Sequence, residues 1–336
     1  MKVDGGISTD LEQTAQSARD AEEAGYDGVW TAETSHDPFF PLLIAAEHTS
    51  KVELGTGIAV AFARNPMTLA NVGYDLQKFS KGRHILGLGS QIKPHITKRF
   101  SMEWSHPAAR MREMISAIKH IWEAWDGEHK LDFRGDFYQH TLMTPFFDPG
   151  PNPYGKAKIM LAGVGELMTE VAGEVADGFL CHGFTTESYL RSVTLPALER
   201  GAAKAGRKLS EIEISGPAFV VTGATEEQMQ QAAAGTRQQI AFYGSTPAYR
   251  GVLDHHGWGD LQTELNGLSK QGKWQEMGTL IDDEILNTFA VVGEPEQIGP
   301  ELSKRYGDVV SRISFYAPYK SDPERWGKVM GALKAA

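Results

Sequence analysis

The chain has 336 residues, 41% of them hydrophobic, and its 43 acidic against 33 basic residues give a formal net charge of −10 at pH 7. This length suits one large barrel or two average domains. The acidic balance argues against nucleic acid or an anionic membrane as a partner, because both need a basic face. Cys181 is the only cysteine, which excludes an internal disulfide and a metal site built on several thiolates. No apolar run approaches ~18 residues, so we expect a soluble, cytoplasmic protein.

Along the chain, short apolar runs alternate with longer segments of helical periodicity. The predicted strands are a short one near Val3 and runs at 28–31, 52–58, 84–88, 159–163, 178–181, 213–221 and 312–316. After a first helix that ends at Gly25, the predicted helices are 38–49, 66–79, 107–125, 166–176, 187–205, 225–242, 295–306 and 323–333. Strict alternation of this kind implies parallel βαβ units with right-handed connections.

Two segments interrupt the alternation. Residues 131–144 alternate aromatic and polar side chains and predict a hairpin, and the proline-rich run 148–153 predicts a loop rather than a domain boundary. Residues 243–290 are rich in glycine, tryptophan and histidine and predict an irregular segment. We therefore expect a single domain, 1–336, folded as a (β/α)8 TIM barrel with insertions near 127–155 and 243–290. An open doubly wound sheet is the main alternative, but residues 4–8 are not its usual G-x-G-x-x-G turn.

In such a barrel the functional site lies at the carboxyl ends of the strands. Candidate residues there are Glu33 and His36 after strand two, Gly57 and Ile58 at the end of strand three, Ser90, Gln91 and His95 after strand four, Gly163, Val164 and Gly165 after strand five, and His182 after strand six. The 163–165 turn precedes a helix, whose free N–H groups favour an anion. The His255–His256 pair has no third ligand at a telling spacing, so we expect no metal. Hydrolase and P-loop motifs are absent from the sequence.

The order of several motifs resembles the bacterial luciferase-like monooxygenase superfamily. These motifs are Gly25-Tyr26-Asp27-Gly28-Val29-Trp30, Leu54-Gly55-Thr56-Gly57-Ile58, Arg64-Asn65-Pro66, Gly82-Arg83, Leu86-Gly87-Leu88-Gly89-Ser90, Arg110-Met111-Arg112-Glu113, Ala176-Asp177-Gly178 and Val292-Gly293-Glu294-Pro295-Glu296. Together they cover nearly the whole chain. The Gly89-Ser90-Gln91 turn with His95 is most similar to the branch that uses the deazaflavin coenzyme F420.

The resemblance implies an oxidoreductase that passes a hydride between C5 of coenzyme F420 and a small organic molecule, with FMN as the alternative cofactor. It further implies a cis Gly57–Ile58 peptide beneath the cofactor ring, Glu33 at the polar edge of the cofactor, and a homodimer. Ser90, Gln91 and the 163–165 turn would hold its tail, while His36, Gln91 or His95 would serve the chemistry.

The chain also departs from its relatives. Glu33-Thr34 and Ile92 replace the Asp-His pair and the glutamate of the F420-dependent glucose-6-phosphate dehydrogenases, so that sugar-phosphate chemistry does not carry over. An FMN-dependent two-component monooxygenase and a cofactor-binding protein without turnover remain the rival functions.

Overall fold

Eight short strands form the centre of the molecule, and a computed structural model describes them with the rest of residues 1–320 and 322–336. The strands are β1 (Lys2–Gly6), β2 (Gly28–Thr31), β3 (Glu53–Thr56), β4 (His84–Gly89), β5 (Lys158–Gly163), β6 (Gly178–Cys181), β7 (Glu213–Val221) and β8 (Arg312–Tyr316). Each strand pairs in parallel with both neighbours, and β1 pairs with β8, so the sheet closes on itself. The predicted (β/α)8 TIM barrel is confirmed.

Helices surround the barrel, and those outside residues 243–290 lie within the predicted helical segments or close to their bounds. They are α1 (Leu11–Glu23), α2 (Phe39–His48), α3 (Pro66–Phe79), α4 (Pro107–Trp125), α5 (Glu166–Val175), α6 (Leu195–Lys204), α7 (Glu226–Gly244), α8 (Arg250–His255), α9 (Gly259–Lys270), α10 (Trp274–Thr279), α11 (Asp283–Phe289), α12 (Pro295–Tyr306) and α13 (Pro323–Ala335). Local signals set their starts: Asn65 caps α3 by accepting from the Thr68 N–H, and Pro66 occupies the first turn.

The predicted strand 52–58 is too long. β3 ends at Thr56, and Ala59–Val60 forms a separate short strand beside β4. Residues 57 and 58 lie between these two strands and form a bend. The Gly57 N–H donates to the carbonyl of Thr31, the last residue of β2, at 2.7 Å. One apolar run therefore contains two strands with a bend between them.

The prediction of an irregular segment at 243–290 is wrong, because four helices, α8 to α11, lie within it. They have 6 to 12 residues each, too short for a clear periodic signal. Gly257 and Gly272, with φ of +77° and +71°, follow the ends of α8 and α9. Packing stabilises the segment, since Leu253, Leu265 and Met277 are buried in a second apolar core beside the barrel.

The barrel interior is layered. At the amino ends of the strands, the Arg312 side chain lies over the Trp30 ring, with the guanidinium carbon 5.2 Å from the ring centroid. Above this layer Ile85, Met160 and Leu180 pack together and fill the interior below the carboxyl ends of the strands. The mouth of the barrel lies beyond this layer, at the carboxyl ends of the strands, where the fold predicts a functional site.

The predicted hairpin in the first insertion is present, with Phe133–Arg134 paired antiparallel to Gln139–His140. The Glu113 carboxylate of α4 holds its turn by accepting from the backbone N–H groups of Asp136 and Phe137 at 2.9 and 2.7 Å. Within the described residues, no helix combines the length and apolar character needed to cross a membrane.

Candidate functional site

Glu33 and Arg64 join the loops that follow β2 and β3 at the barrel mouth. The Glu33 carboxylate accepts from Arg64 Nη1 at 2.6 Å and from the Val60 N–H at 2.7 Å, and Arg64 also donates to Asp37 at 3.0 Å. Only 7% of the Glu33 side chain is exposed. This carboxylate is thus engaged by the protein itself, and it fixes the loop that follows β3.

The Gly57–Ile58 peptide bond lies in that loop and is cis, as the resemblance implied. The Glu33 N–H donates to the Ile58 carbonyl at 3.1 Å, which joins two of the sequence-predicted residues directly. A Cβ at Gly57 would stand 3.4 Å from the Trp30 ring, whereas one at Gly89 would approach Ile58 to 2.9 Å. Gly89 is therefore needed for the close approach of β4 to this loop.

The residues predicted after β4 lie in a loop with unusual backbone geometry. Gln91 has a φ of +60°, and its side-chain oxygen accepts from the Ile92 N–H at 3.0 Å, while the Ser90 hydroxyl donates to the Gln91 carbonyl. His95 begins a π-helical turn, His95–Arg99, and Arg99 donates to the Thr34 carbonyl of the loop after β2. The loops after β2 and β4 are thereby connected across the mouth.

His36 and His95 are both exposed on these loops. Their predicted role in the chemistry stays a prediction, since the structure buries neither ring beside a defined partner. The half-buried imidazole at the mouth is that of His182, the candidate residue that sequence analysis placed after strand six.

A small recess after β5 and β6 brings together Gly163, Val164 and His182 with Cys181 and Thr185. Gly163 pairs in register with Cys181, so the two strand ends are adjacent. Gly165 is the N-cap of α5 and supplies no side-chain cap, and a Cβ built there meets no atom within 4 Å. The start of α5 therefore has no side-chain cap and has open space beside Gly165, and the helix dipole there favours an anion.

The His182 ring forms one side of this region. Burial lowers the pKa of His182 to about 4, so the ring is neutral at physiological pH. Its Nδ1 accepts from the Phe184 N–H at 3.0 Å, which leaves the proton on Nε2 as a hydrogen-bond donor. A neutral donor placed near an uncapped helix start suits an anionic or carbonyl oxygen.

Aromatic side chains surround the His182 ring, and the sequence only partly indicated which of them would lie together. The ring of His182 lies 4.5 Å from that of Tyr249 and 4.8 Å from that of Tyr243, and the Tyr243 and Tyr316 hydroxyls are 2.7 Å apart. Burial raises the pKa of Tyr316 well above its usual value, so the Tyr316 hydroxyl stays protonated. Phe242 and Trp274 contact each other and are nearly half exposed.

The closed (β/α)8 barrel, with its candidate groups at the carboxyl ends of the strands, places the chain in the class of TIM-barrel proteins. Within that class, the chain belongs to the luciferase-like monooxygenase family, whose family model matches residues 2–312. The resemblance noted in the sequence is therefore confirmed, and the chain is an oxidoreductase.

Individual relatives agree with this assignment. The uncharacterized protein Rv1360 of Mycobacterium tuberculosis is 57% identical over 313 residues, covering 93% of this chain and 92% of that protein. The putative coenzyme F420-dependent oxidoreductase Rv3520c of the same species is 27% identical over 304 residues, 84% of either chain. The solved coenzyme F420-dependent tetrahydromethanopterin reductase of Methanopyrus kandleri superposes with a TM-score of 0.78 at 21% identity, over 98% of this chain and 96% of that one.

Proposed function

We propose that the chain is a coenzyme F420-dependent oxidoreductase acting on a small organic substrate. The observation that carries the proposal is the recess lined by Gly163, Val164 and the neutral His182, together with the start of α5 that follows, which has no side-chain cap. The similarity to a protein named a putative F420-dependent oxidoreductase supports the same cofactor. When bound, the deazaflavin supplies a carbon, C5, that accepts or releases a hydride.

The residues present fit a cofactor with a phosphate-bearing tail. The free N–H groups at the start of α5 would hold the phosphate, and the His182 Nε2–H would donate to a neighbouring oxygen. The Glu33–Arg64 pair would keep the loop with Gly57 and Ile58 in place under the ring. The aromatic side chains of Tyr243 and Tyr249 would exclude water from the reacting atoms.

Titration of the purified protein with coenzyme F420 and with FMN tests the proposal. We expect F420 to bind at least tenfold more tightly, followed by substrate-dependent change in the absorbance of the deazaflavin. Tighter binding of FMN would contradict the proposal and favour the flavin monooxygenase, which the family name also allows. Binding of F420 without turnover of any alcohol, aldehyde or ketone tried would favour a binding protein instead.

We also propose that the whole chain, 1–336, works as one barrel domain in the cytoplasm and as a homodimer. A groove of about 720 Å³ lies between α2 and α3, away from the barrel mouth. Apolar side chains line it, and Phe40 and Phe79 are 61% and 49% exposed there. Exposed apolar patches of this kind mark interaction sites, and a second copy of the chain is the partner that the resemblance implies.

Light scattering checks the homodimer. We expect the unmodified protein to give about twice the 36.9 kDa of one chain, and Phe79→Glu to give the monomer mass because a charge in the groove prevents its burial. Phe242→Glu is the matched control, since Phe242 is similarly exposed on α7 and should leave the mass unchanged. A monomer mass for the unmodified protein at micromolar concentration would contradict the proposal.

A further inference from the structure

Three side chains with metal-binding atoms meet at the carboxyl end of α4. His120 and Glu123 lie one turn apart on one face of the helix, and His129 follows the helix end. Gly127, with a φ of +77°, turns the chain back, and the Glu128 N–H donates to the Glu123 carbonyl at 3.0 Å. One potential ligand atom from each of the three side chains lies within 4.8 Å of the other two.

The His129 ring lies between two groups that only accept hydrogen bonds. Its Nδ1 is 3.2 Å from the Lys130 carbonyl oxygen, and its Nε2 is 3.3 Å from the Glu123 carboxylate. A neutral imidazole has one N–H and can donate to only one of them, so its other nitrogen presents a lone pair. A tetrahedral ion with bonds of about 2.0–2.2 Å places neighbouring ligand atoms about 3.3 Å apart, the same separation.

The second imidazole distinguishes this arrangement from an ordinary ion pair. The His120 ring stacks on the His129 ring with centroids 4.0 Å apart and planes inclined by 25°. Its Nε2 accepts only a long hydrogen bond, 3.4 Å, from the Asp132 N–H. The His120 ring is therefore held by stacking and by one weak hydrogen bond, and one of its nitrogens lies within 4.8 Å of the ligand atoms of Glu123 and His129.

We propose that His120, Glu123 and His129 bind one divalent transition-metal ion of the zinc type, with water as the fourth ligand. Two imidazoles and one carboxylate form a donor set that zinc accepts, and the carboxyl end of a helix favours a cation. Because α4 runs back from the barrel mouth, this end lies away from the site described above. The ion would tie residues 127–132 to α4 and support the hairpin, whose Phe133 ring lies 5.6 Å from that of His120.

Zinc titration of tag-free, chelator-treated protein by calorimetry tests this inference. We expect one zinc ion per chain and a rise in melting temperature with zinc, because the ion binds only the folded arrangement. His120→Gln and His129→Gln should each weaken zinc binding by roughly tenfold or more. His255→Gln is the matched control: His255 also lies beside a second histidine, at 5.0 Å, but it contacts the Ser188 hydroxyl, and its loss should change nothing.

The result that overturns the inference is an absence of zinc uptake at 100-fold molar excess, or uptake that neither histidine variant reduces. His129 and Glu123 are about one-third exposed, so their substitution should leave the fold intact, which circular dichroism verifies. Glu123→Gln provides a further test if either histidine variant fails to fold. Limited proteolysis gives a second readout, since zinc should slow cleavage within 127–132 in the unmodified protein and not in His129→Gln.

Discussion

Replacement of Arg312 by leucine is expected to lower the free energy of unfolding by about 3–5 kcal/mol. Arg312 has no exposed surface and donates to both Asp4 oxygens, at 2.7 and 2.8 Å. Its Nη1 also donates to Glu53 and Glu213, at 2.9 Å each. Without the guanidinium, the Asp4 carboxylate, only 1% exposed, would be buried with no cation beside it.

The pKa of Asp4 shows how costly that state is. Burial raises the pKa of this carboxyl above its usual value even though the hydrogen bond and charge of Arg312 act to lower it. Removal of both groups together, in Arg312→Leu with Asp4→Leu, should therefore recover part of the loss, because no unpaired charge remains.

Urea unfolding followed by tryptophan fluorescence measures these effects. Arg134→Gln is the control, since Arg134 pairs with Asp132 at the surface, with 65% and 59% of the two side chains exposed. That pair should contribute at most about 1 kcal/mol. If Arg134→Gln and Arg312→Leu lowered the free energy of unfolding equally, the burial of Arg312 and its carboxylate partners would not be the cause of the loss of stability.

Gly165→Asp should raise the melting temperature and yet weaken cofactor binding by roughly a hundredfold. Gly165 has a φ of −83°, which aspartate adopts freely, and it caps α5 without a side-chain bond. Aspartate is a preferred N-cap and should stabilise the helix by a few tenths of a kcal/mol relative to glycine. At about 5 Å in an effective dielectric near 20, its charge would repel a bound phosphate by about 3 kcal/mol.

Gly165→Asn separates the effect of the charge on cofactor binding from the effect of side-chain size. Asparagine caps a helix as well as aspartate does but carries no charge. It should show the same gain in melting temperature with a much smaller loss of F420 affinity. Fluorescence titration with F420 and differential scanning calorimetry provide the two readouts. If both variants bind F420 as the unmodified protein does, the start of α5 does not hold the phosphate.

The strands and most helices could be predicted because their signals are local. β2, β6, β7 and β8 begin and end at the predicted residues, since each is a short apolar run with polar or glycine boundaries. The bend after Thr56 was not predicted, because its backbone hydrogen bonds are with Thr31 and Glu33, which are distant in the sequence. The helices of the second insertion were missed for a related reason, since their stability comes from a shared apolar core and not from long periodic sequences.

Some features of the candidate site could likewise be predicted from the sequence, and others could not. The rule that barrel sites lie at strand ends placed Gly163, Val164 and His182 at the mouth from the sequence alone. That the Glu33 carboxylate binds Arg64 was not predictable, because the two residues are 31 positions apart and any of several cations could have approached it. The pairing of Tyr243 with Tyr316, across 73 positions, has no local signal either.

The sequence by itself determined the barrel, its strand positions and the family, because alternation, glycine placement and motif order are properties of neighbouring residues. Only the tertiary structure decided which charges are buried together and which rings meet. Arg312 and Asp4 are separated by 308 positions and become partners only when β8 closes the barrel against β1. Groups that are distant in sequence share one buried environment only after the chain has folded. That burial determines how they pair and shifts pKa values such as that of Asp4. For Glu33 and Arg64, it also determines their place in the candidate site.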